Sequence, residues 1–440
     1  MALKIGRALP SMLRALRHRN YRLYFSGQGV SLIGTWMTRI AAAWLVWRLT
    51  HSPQMLGMLG FASQLPTLLL APVAGVWVDR LNRHRLLLAT QVLSMLQSLA
   101  LAALTLSGVV EVWQVFALQV FQGIVNAFDM PTRQSLLVDL IEDRADLPNA
   151  VALNSSMVNA ARLIGPSIAG LLIASVGEGW CFFADGASYL AVIASLLAMR
   201  VAVRPRAASG RRVWHDMHDG LRYAFGFAPI RAILLLLALL GLVGIPYRVL
   251  MPMIADKVLH GGPHTLGFLM GAMGVGALIG ALYLASRTSV LGLGRLIPLA
   301  SATFGAGLIG IGLSRWLPLS LLVMVVTGFG FMVHLAASNT LIQTLVREDM
   351  RGRVMALYTT AFMGMATFGS LLAGAVANYA GAPRTLMGAG LLCLIGAGVF
   401  WQKLPGLREQ ARPVYVEKGI LPEVSESLRE ATTLREEVEQ

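Results

Sequence analysis

The sequence predicts an all-α membrane protein of twelve transmembrane helices in two six-helix pseudo-repeats, with the N- and C-termini cytoplasmic. Three observations carry that expectation. Residues are 56% hydrophobic and only 13% charged, with a mean hydropathy of +0.66, where soluble domains carry roughly 25% charged residues. Apolar runs long enough to cross a bilayer, which takes about 20 residues, recur along the whole chain. The cations alternate: 29 of the 36 Lys and Arg residues fall in every second connection between those runs. Basic connections resist translocation, so the rich side is cytoplasmic and the number of spans is even. Open sheet edges cannot face lipid, and runs this long exceed barrel strands, which leaves helices.

The elements follow in order. Before the first span (24–47), Met12, Leu13 and Leu16 alternate with Arg14, Arg17 and Arg19 as in a surface helix, and the same arginines with Arg22 interrupt any cleavable leader. Spans two to six are expected at 54–78, 86–107, 112–134, 149–176 and 180–200. The connection 203–228 is long and basic; Val213, Met217, Leu221 and Ala224/Phe225 recur at helical spacing, as in an amphipathic helix lying on the cytoplasmic leaflet, with a plain solvated tether as the alternative. Spans seven to twelve are expected at 231–255, 264–286, 296–314, 317–343, 354–380 and 384–402. Trp44, Trp47, Trp113, Trp180 and Trp316 fall at outer span ends, where aromatic belts sit. The resulting domains are an N-terminal bundle (1–202), a linker (203–228), a C-terminal bundle (229–403) and a polar cytoplasmic tail (404–440), in which Val424, Leu428, Ala431 and Val438 lie among Glu and Arg. Cys181 and Cys393 lie in apolar runs and read as packing thiols.

The two halves repeat. A shift of 210 residues places Gly34 on Gly244, Pro53 on Pro263 and Leu56-Gly57 on Leu266-Gly267; a shift of 204 places Gly165 on Gly369 and Gly170 on Gly374. Six plus six spans in the same orientation imply halves related by an axis along the membrane normal, with a site between them.

Two motifs carry a mechanism. The second span ends in Gly75-Val-Trp-Val-Asp79-Arg80-Leu-Asn82-Arg83-His84-Arg85. An acid at a helix C-terminus opposes the dipole and seeks a cation or another helix N-terminus. This stretch resembles the signature of the major facilitator superfamily between its second and third helices. There Gly75, Asp79, Arg80 and Arg83 would form a latch holding the cytoplasmic side shut in one conformation. Asn82 replaces a glycine, a mild change for a residue that tolerates a left-handed turn. In the fifth span, Gly165-Pro166 and Gly170 resemble the helix motif of the superfamily's exporters, preceded by Arg162. Pro166 kinks its helix, and the small residues allow close packing, with Gly267, Gly271, Gly276 and Gly280 offering a partner face in span eight. With Trp36, Arg39, Asn126 and Asp129, the whole resembles the bacterial exporter branch that includes the enterobactin exporter and macrolide efflux proteins.

Charges inside spans are costly and mark functional sites. Arg39, Asn159, Arg162 and Arg248 are the expected lining of a central cavity, and a surplus of guanidinium suits an anionic or siderophore-like substrate. The structural alternative pairs Arg39 or Arg162 with Asp185. For proton coupling the available groups are Asp129, Asp185 and His334, although Asp129 and Arg133, four apart, can satisfy each other. The reading is a secondary transporter of the bacterial inner (plasma) membrane, monomeric and exporting a small molecule or drug, with protons as a potential coupling ion. The alternatives are an importer or facilitator, or a polytopic lipid-processing enzyme. The enzyme reading lacks support: no zinc-protease, nucleophile-elbow or P-loop motif is present, and no cofactor or metal is implied. The net charge of +14 lies on one face of a membrane, which argues against a nucleic-acid partner.

Overall fold

The computed structural model describes residues 13–199, 213–287 and 289–421; within these, the side chains of Pro72, Val76, Asp79 and 213–216 also lie outside the description. All regular structure among the described residues is helical. Six long helices come first: α1 (Arg19–Thr50), α2 (Pro53–Arg80), α3 (Arg83–Leu106), α4 (Val112–Asp139), α5 (Leu147–Val176) and α6 (Glu178–Ala198). A short α7 (Val213–Gly226) precedes α8 (Ala228–Leu239), α9 (Tyr247–Met253), α10 (Pro263–Ala285), α11 (Leu293–Leu313), α12 (Leu317–Leu345), α13 (Arg351–Thr359), α14 (Met365–Ala380) and α15 (Ala382–Glu417). Among the described residues, eleven helical stretches are long and apolar enough to cross a membrane. The expected span 112–134 forms α4, a 28-residue helix packed on α2 and α3. It stays outside those eleven because Gln114, Gln119, Gln122, Asn126, Asp129 and Arg133 dilute its apolar content.

Two expected spans are not simple α-helices. Expected span seven, 231–255, is interrupted by π-helical turns at Leu240–Gly244 and Ile254–Val258, and span eleven by one at Thr360–Gly364. Pro246 and Pro252 lack the amide hydrogen that a continuous ladder needs, and the wider turns absorb the mismatch. The last helix overruns its expected end at 402 and continues to Glu417, so the predicted tail begins as helix. Its buried Leu404 and Ala411, with half-buried Leu407 and Tyr415, keep one apolar face against the bundle beyond the membrane-length segment.

Helices α1 to α6 pack mainly on one another, as do α8 to α15; the main contacts between these groups are α5 with α10 and α2 with α14. Those contacts carry the sequence repeat. A Cβ on Gly170 would lie 2.9 Å from the Cα of Gly267, and one on Gly57 would lie 2.8 Å from the Cα of Gly374. Gly57 maps to Gly267 by the 210-residue shift and Gly170 to Gly374 by the 204-residue shift, so each glycine meets the counterpart of its partner. Gly165 packs on Trp36 and Gly369 on Pro246, again 210 positions apart. Of the predicted glycine face on α10, only Gly267 and Gly271 turn to α5. Gly276 and Gly280 instead meet Val325 and Phe329 of α12, and Gly274 completes the α5 face against Leu163. The cause is helical phase: at about 100° per residue, positions 267, 271 and 274 share one side and 276 and 280 the opposite one.

The face bearing the cation-rich connections is held by ion pairs within each helix group. The expected surface helix before α1 is a short turn, Arg14–Arg17, clamped on α5: Arg14, Arg17 (2.7 Å) and His18 (3.0 Å) converge on the fully buried Asp146. Replacing Asp146 with Asn should lower the melting temperature, since several charge-assisted bonds weaken at once; thermal melting of the purified variant checks this. Helix α7 docks through Gly220 on Arg353, an Asp219–Arg353 pair at 3.3 Å, and Tyr223, whose hydroxyl accepts from the Arg347 amide; Met217, Leu221 and Phe225 stay exposed. Residues 203–212 of the expected linker lie outside the described residues. On the opposite face, Trp113, Trp180 and Trp316 are exposed as belt residues, whereas Trp44 and Trp47 are buried. Trp47 donates to Asp256 across the two helix groups at 3.0 Å, a bond a lipid-facing ring would forgo.

Candidate functional site

A cavity of about 240 Å³ lies between the two helix groups, walled by residues of α1, α2, α3, α4 and α6 and, from the other group, α9, α10 and α14. Near the belt face it is closed by the glycine contacts of α2 with α14 and α5 with α10. Toward the basic face the side of α2 that bears Gly75 is open, where a Cβ would meet nothing within 4 Å, while Ala74 and Val78 on the same turns stay buried.

Arg39 and Arg248 line this cavity from α1 and α9. Arg39 is exposed although it sits in the middle of a membrane-length helix, because its side chain opens into the cavity. Its guanidinium stacks 4.7 Å from the ring centroid of Trp36, and Arg162 of α5 approaches the same ring at 5.3 Å. One indole thus holds two like charges together, each drawn to the negative ring face. Arg248 leans on Tyr247 and Phe331, and its Nε donates to the Tyr247 hydroxyl at 3.2 Å. The three guanidinium groups are within electrostatic reach of one another. Asn159, one turn before Arg162, is half-buried and stands outside the cavity wall.

Asp185 is the one carboxylate in the wall among the described residues. The pairing with Arg39 or Arg162 is not what holds it. Its Oδ2 accepts from Thr38 at 2.8 Å and Ser98 at 2.7 Å, while Oδ1 has no protein partner. The other two candidate proton carriers lie elsewhere. Asp129 is saturated by Arg133 (2.5 Å), Gln91 (2.6 Å) and Thr90 (2.9 Å), the self-contained pair that the i,i+4 spacing allowed. His334 is packed between α11 and α12 against Ser301 at 2.7 Å, away from the cavity.

The sequence reading named Asn126 only for its resemblance and did not place the amides in the cavity. Gln97, Gln119, Gln122 and Asn126 line the cavity with Tyr189 and Gln64. Gln122 donates to Ser94 at 3.0 Å and Asn126 at 3.1 Å, yet its Oε1 and the Nε2 of Gln97 remain unpartnered. Mid-span amides obey the same rule as mid-span charges, and that signal was available. Together the wall offers surplus positive charge, amide donors and acceptors, and aromatic faces.

The signature motif is placed in part. Helix α2 ends at Arg80, so Asp79 does close its last turn, but its side chain lies outside the described residues. Arg83 pairs with Asp139 of α4 at 2.9 Å. Asn82 adopts no left-handed turn; at φ −70° it caps α3, its side chain accepting from the Arg85 amide at 3.1 Å. An Asn at this position satisfies one of the orphan amides that begin every helix.

Comparison with known proteins agrees with this architecture. A bacterial homologue of the human lysosomal transporter Spinster, solved inward-facing and unoccupied, superposes with a TM-score of 0.69 at 14% identity, covering 89% of this chain and 98% of that one. A staphyloferrin A transporter of Staphylococcus aureus is 28% identical over 85% of this chain and 94% of its own length. The multidrug efflux pump Tap of Mycolicibacterium fortuitum is 29% identical over 86% and 93%. Residues 10–428 match the family model described as transmembrane secretion effector. The chain therefore belongs to the transmembrane secretion effector family of the major facilitator superfamily.

Proposed function

We propose that this transporter exports small anionic, hydrogen-bond-rich molecules across the bacterial inner membrane as a monomer by alternating access. In this reading it has twelve spans in two bundles of six, its termini and basic face are cytoplasmic, and the described conformation is the one open to the cytoplasm. The observation that carries the substrate class is the charge imbalance of the cavity: Arg39 and Arg248 in its wall with Arg162 behind Trp36, against a single carboxylate bound by hydroxyls. Guanidinium pairs bidentately with carboxylate-like anions, and its strength rises in a site of low dielectric. The relative named a multidrug efflux pump supports outward movement of small molecules, and the one named for staphyloferrin A supports a siderophore-like substrate. Neither the lipid-processing enzyme nor the importer has support of that kind.

Proteoliposomes test the substrate class directly. Vesicles containing the purified protein should accumulate or release catecholates and polycarboxylates, unchanged chemically, in preference to lipophilic cations of similar size. Preference for the cations would overturn the reading.

Among the three titratable candidates, Asp185 is the one at the cavity with a free oxygen, so it is the proposed proton carrier. Asp185→Asn should keep substrate exchange down a gradient within about threefold of wild type, because the hydroxyl bonds persist. It should lose uphill transport driven by an imposed pH gradient. Wild-type uphill transport in Asp185→Asn would remove Asp185 from the coupling path.

A further inference from the structure

A polar seam leads from the cavity wall into the interior of the first helix group. On α1, Tyr24, Gln28, Ser31, Thr35 and Thr38 recur at spacings of four and three, which places them on one helical face. On α3, Gln91, Ser94 and Ser98 recur in the same way. Helix α6 packs on both α1 and α3, and its Asp185 joins the two faces by accepting from Thr38 and Ser98. One turn further along α6, the Tyr189 hydroxyl lies 3.5 Å from that of Thr35. Tyr189 is within electrostatic reach of Asp185, Asp129 and Arg133 alike.

The two ends of the seam are close together. Ser98 holds Asp185 and Gln91 holds Asp129, seven residues apart on α3, or about 10 Å at 1.5 Å per residue. In and around that gap, five polar atoms have no protein partner among the described residues: Asp185 Oδ1, Gln97 Nε2, Ser31 Oγ, Gln28 Oε1 and Gln91 Oε1. Each belongs to a residue at most 3% exposed, on helices whose residues are all described. Asp185 and Gln97 touch the cavity, whereas Ser31, Gln28 and Gln91 lie beyond its wall. A dry, unpaired polar atom is costly, and a buried water with two to four polar neighbours removes that cost. Gly34 keeps the first position open, since a Cβ there would lie 2.7 Å from Asp185 Oδ1.

We propose that buried waters fill this seam and carry protons between Asp185 and the Asp129–Arg133 pair, so that Asp185 exchanges protons with the basic face by a route separate from the substrate cavity. This route rests on the reading of Asp185 as the proton carrier. In each hop a water receives one proton and releases another, so one proton leaves the Asp185 carboxyl for each one delivered beside Asp129. Only O–H bonds are made and broken. The charged and titratable groups facing Asp185 are Arg39 from α1 and Tyr189 and Cys181 from α6, while α3 presents the neutral Gln97 and Ser98, and Arg162 of α5 stands behind Trp36. Those facing Asp129 are Arg133, Tyr24 and Tyr189. An excess proton in the cavity would meet Arg39 and Arg248, which repel it. Between its two ends, the seam offers neutral oxygens and amides.

Two measurements on the full chain in phospholipid vesicles test this. A brief X-ray pulse makes hydroxyl radicals in place, and these oxidise side chains beside bound water. Tyr24 and Tyr21 form an internal pair, both buried, but the Tyr21 hydroxyl donates to Ala150 O at 2.9 Å and the Tyr24 hydroxyl has no protein partner among the described residues. Mass spectrometry should find Tyr24 oxidised several-fold faster than Tyr21. The excess should disappear in Gln28→Met/Ser31→Ala, two positions outside the cavity wall. The second measurement uses citrate as the probe anion and pyranine inside the vesicles to report protons. The double variant should exchange citrate at the wild-type rate and move coupled protons about tenfold more slowly, one missing link adding about 1.4 kcal/mol to the barrier. Equal oxidation of Tyr24 and Tyr21 overturns the hydrated seam, whatever Asp185 does. If the double variant keeps proton movement that Asp185→Asn loses, the route is wrong and the carrier stands. Proton movement retained in Asp185→Asn removes the carrier, and the seam's role goes with it.

Discussion

Arg39→Gln is expected to reduce transport of an anionic substrate by one to two orders of magnitude while insertion and yield stay at wild-type levels. A hydrogen bond to a charged group contributes about 1.5–3 kcal/mol, and about 1.4 kcal/mol is a factor of ten. Folding should be spared because Arg39 has no ion-pair partner among the described residues and already faces the open cavity. Arg39→Lys keeps the charge but loses the planar fork and the stacking on Trp36, so it should recover only part of the activity. Arg133→Gln provides the contrast. It strands Asp129, which is 5% exposed, and should cost about 3–5 kcal/mol of stability, appearing as lost yield. Transport kinetics in proteoliposomes, normalised to reconstituted protein, separate the two cases. Undiminished anion transport by Arg39→Gln would refute the cationic-cavity account.

The second large effect is expected at the glycine contacts. Gly267→Leu and Gly57→Leu each place a side chain against backbone 2.6–2.8 Å away. Overpacking of this kind costs about 1–3 kcal/mol. Here the strain falls on closure of the belt-side contact between the helix groups, so both variants should lose transport while each group still folds. A cysteine placed at Ser370, beside Gly57 and Gly60, should react faster with a membrane-impermeant thiol reagent added from the belt side in Gly57→Leu than in the parent. Gly276→Leu presses instead on α12, inside one helix group, and should reduce folding yield. Gly75→Leu, on the same helix as Gly57 but in open space, should leave melting within about 0.5 kcal/mol of wild type. Full transport by Gly267→Leu would show that this contact does not have to close.

The membrane class, the order of the helices and the internal repeat were legible because each rests on local chemistry. A run of apolar residues must be buried in lipid, cations must stay out of it, and a glycine that permits backbone contact recurs wherever its duplicate does the same. Arg39 and Arg248 were legible as cavity residues because a guanidinium in mid-span has few other places to go. The arrangement of partners was not. The hydroxyls of Thr38 and Ser98 hold Asp185, although Arg39 and Arg162 lie in helices packed on α6, and 147 positions separate Thr38 from Asp185. Trp36 joins Arg39 and Arg162 only because Gly165 lets α5 approach its Cβ. Trp47 looked like a belt residue until Asp256, 209 positions away, supplied a buried acceptor.

By itself, then, the sequence determined that lipid surrounds this chain, which connections share a face, and that two similar halves meet through small residues. Only the tertiary structure decided which glycines meet, which charges stay unpaired around the cavity, and where the last helix stops. The physical reason is range. Hydrophobicity and helical period act over a few turns, whereas packing phase and pairing depend on helices brought together from opposite ends of the chain.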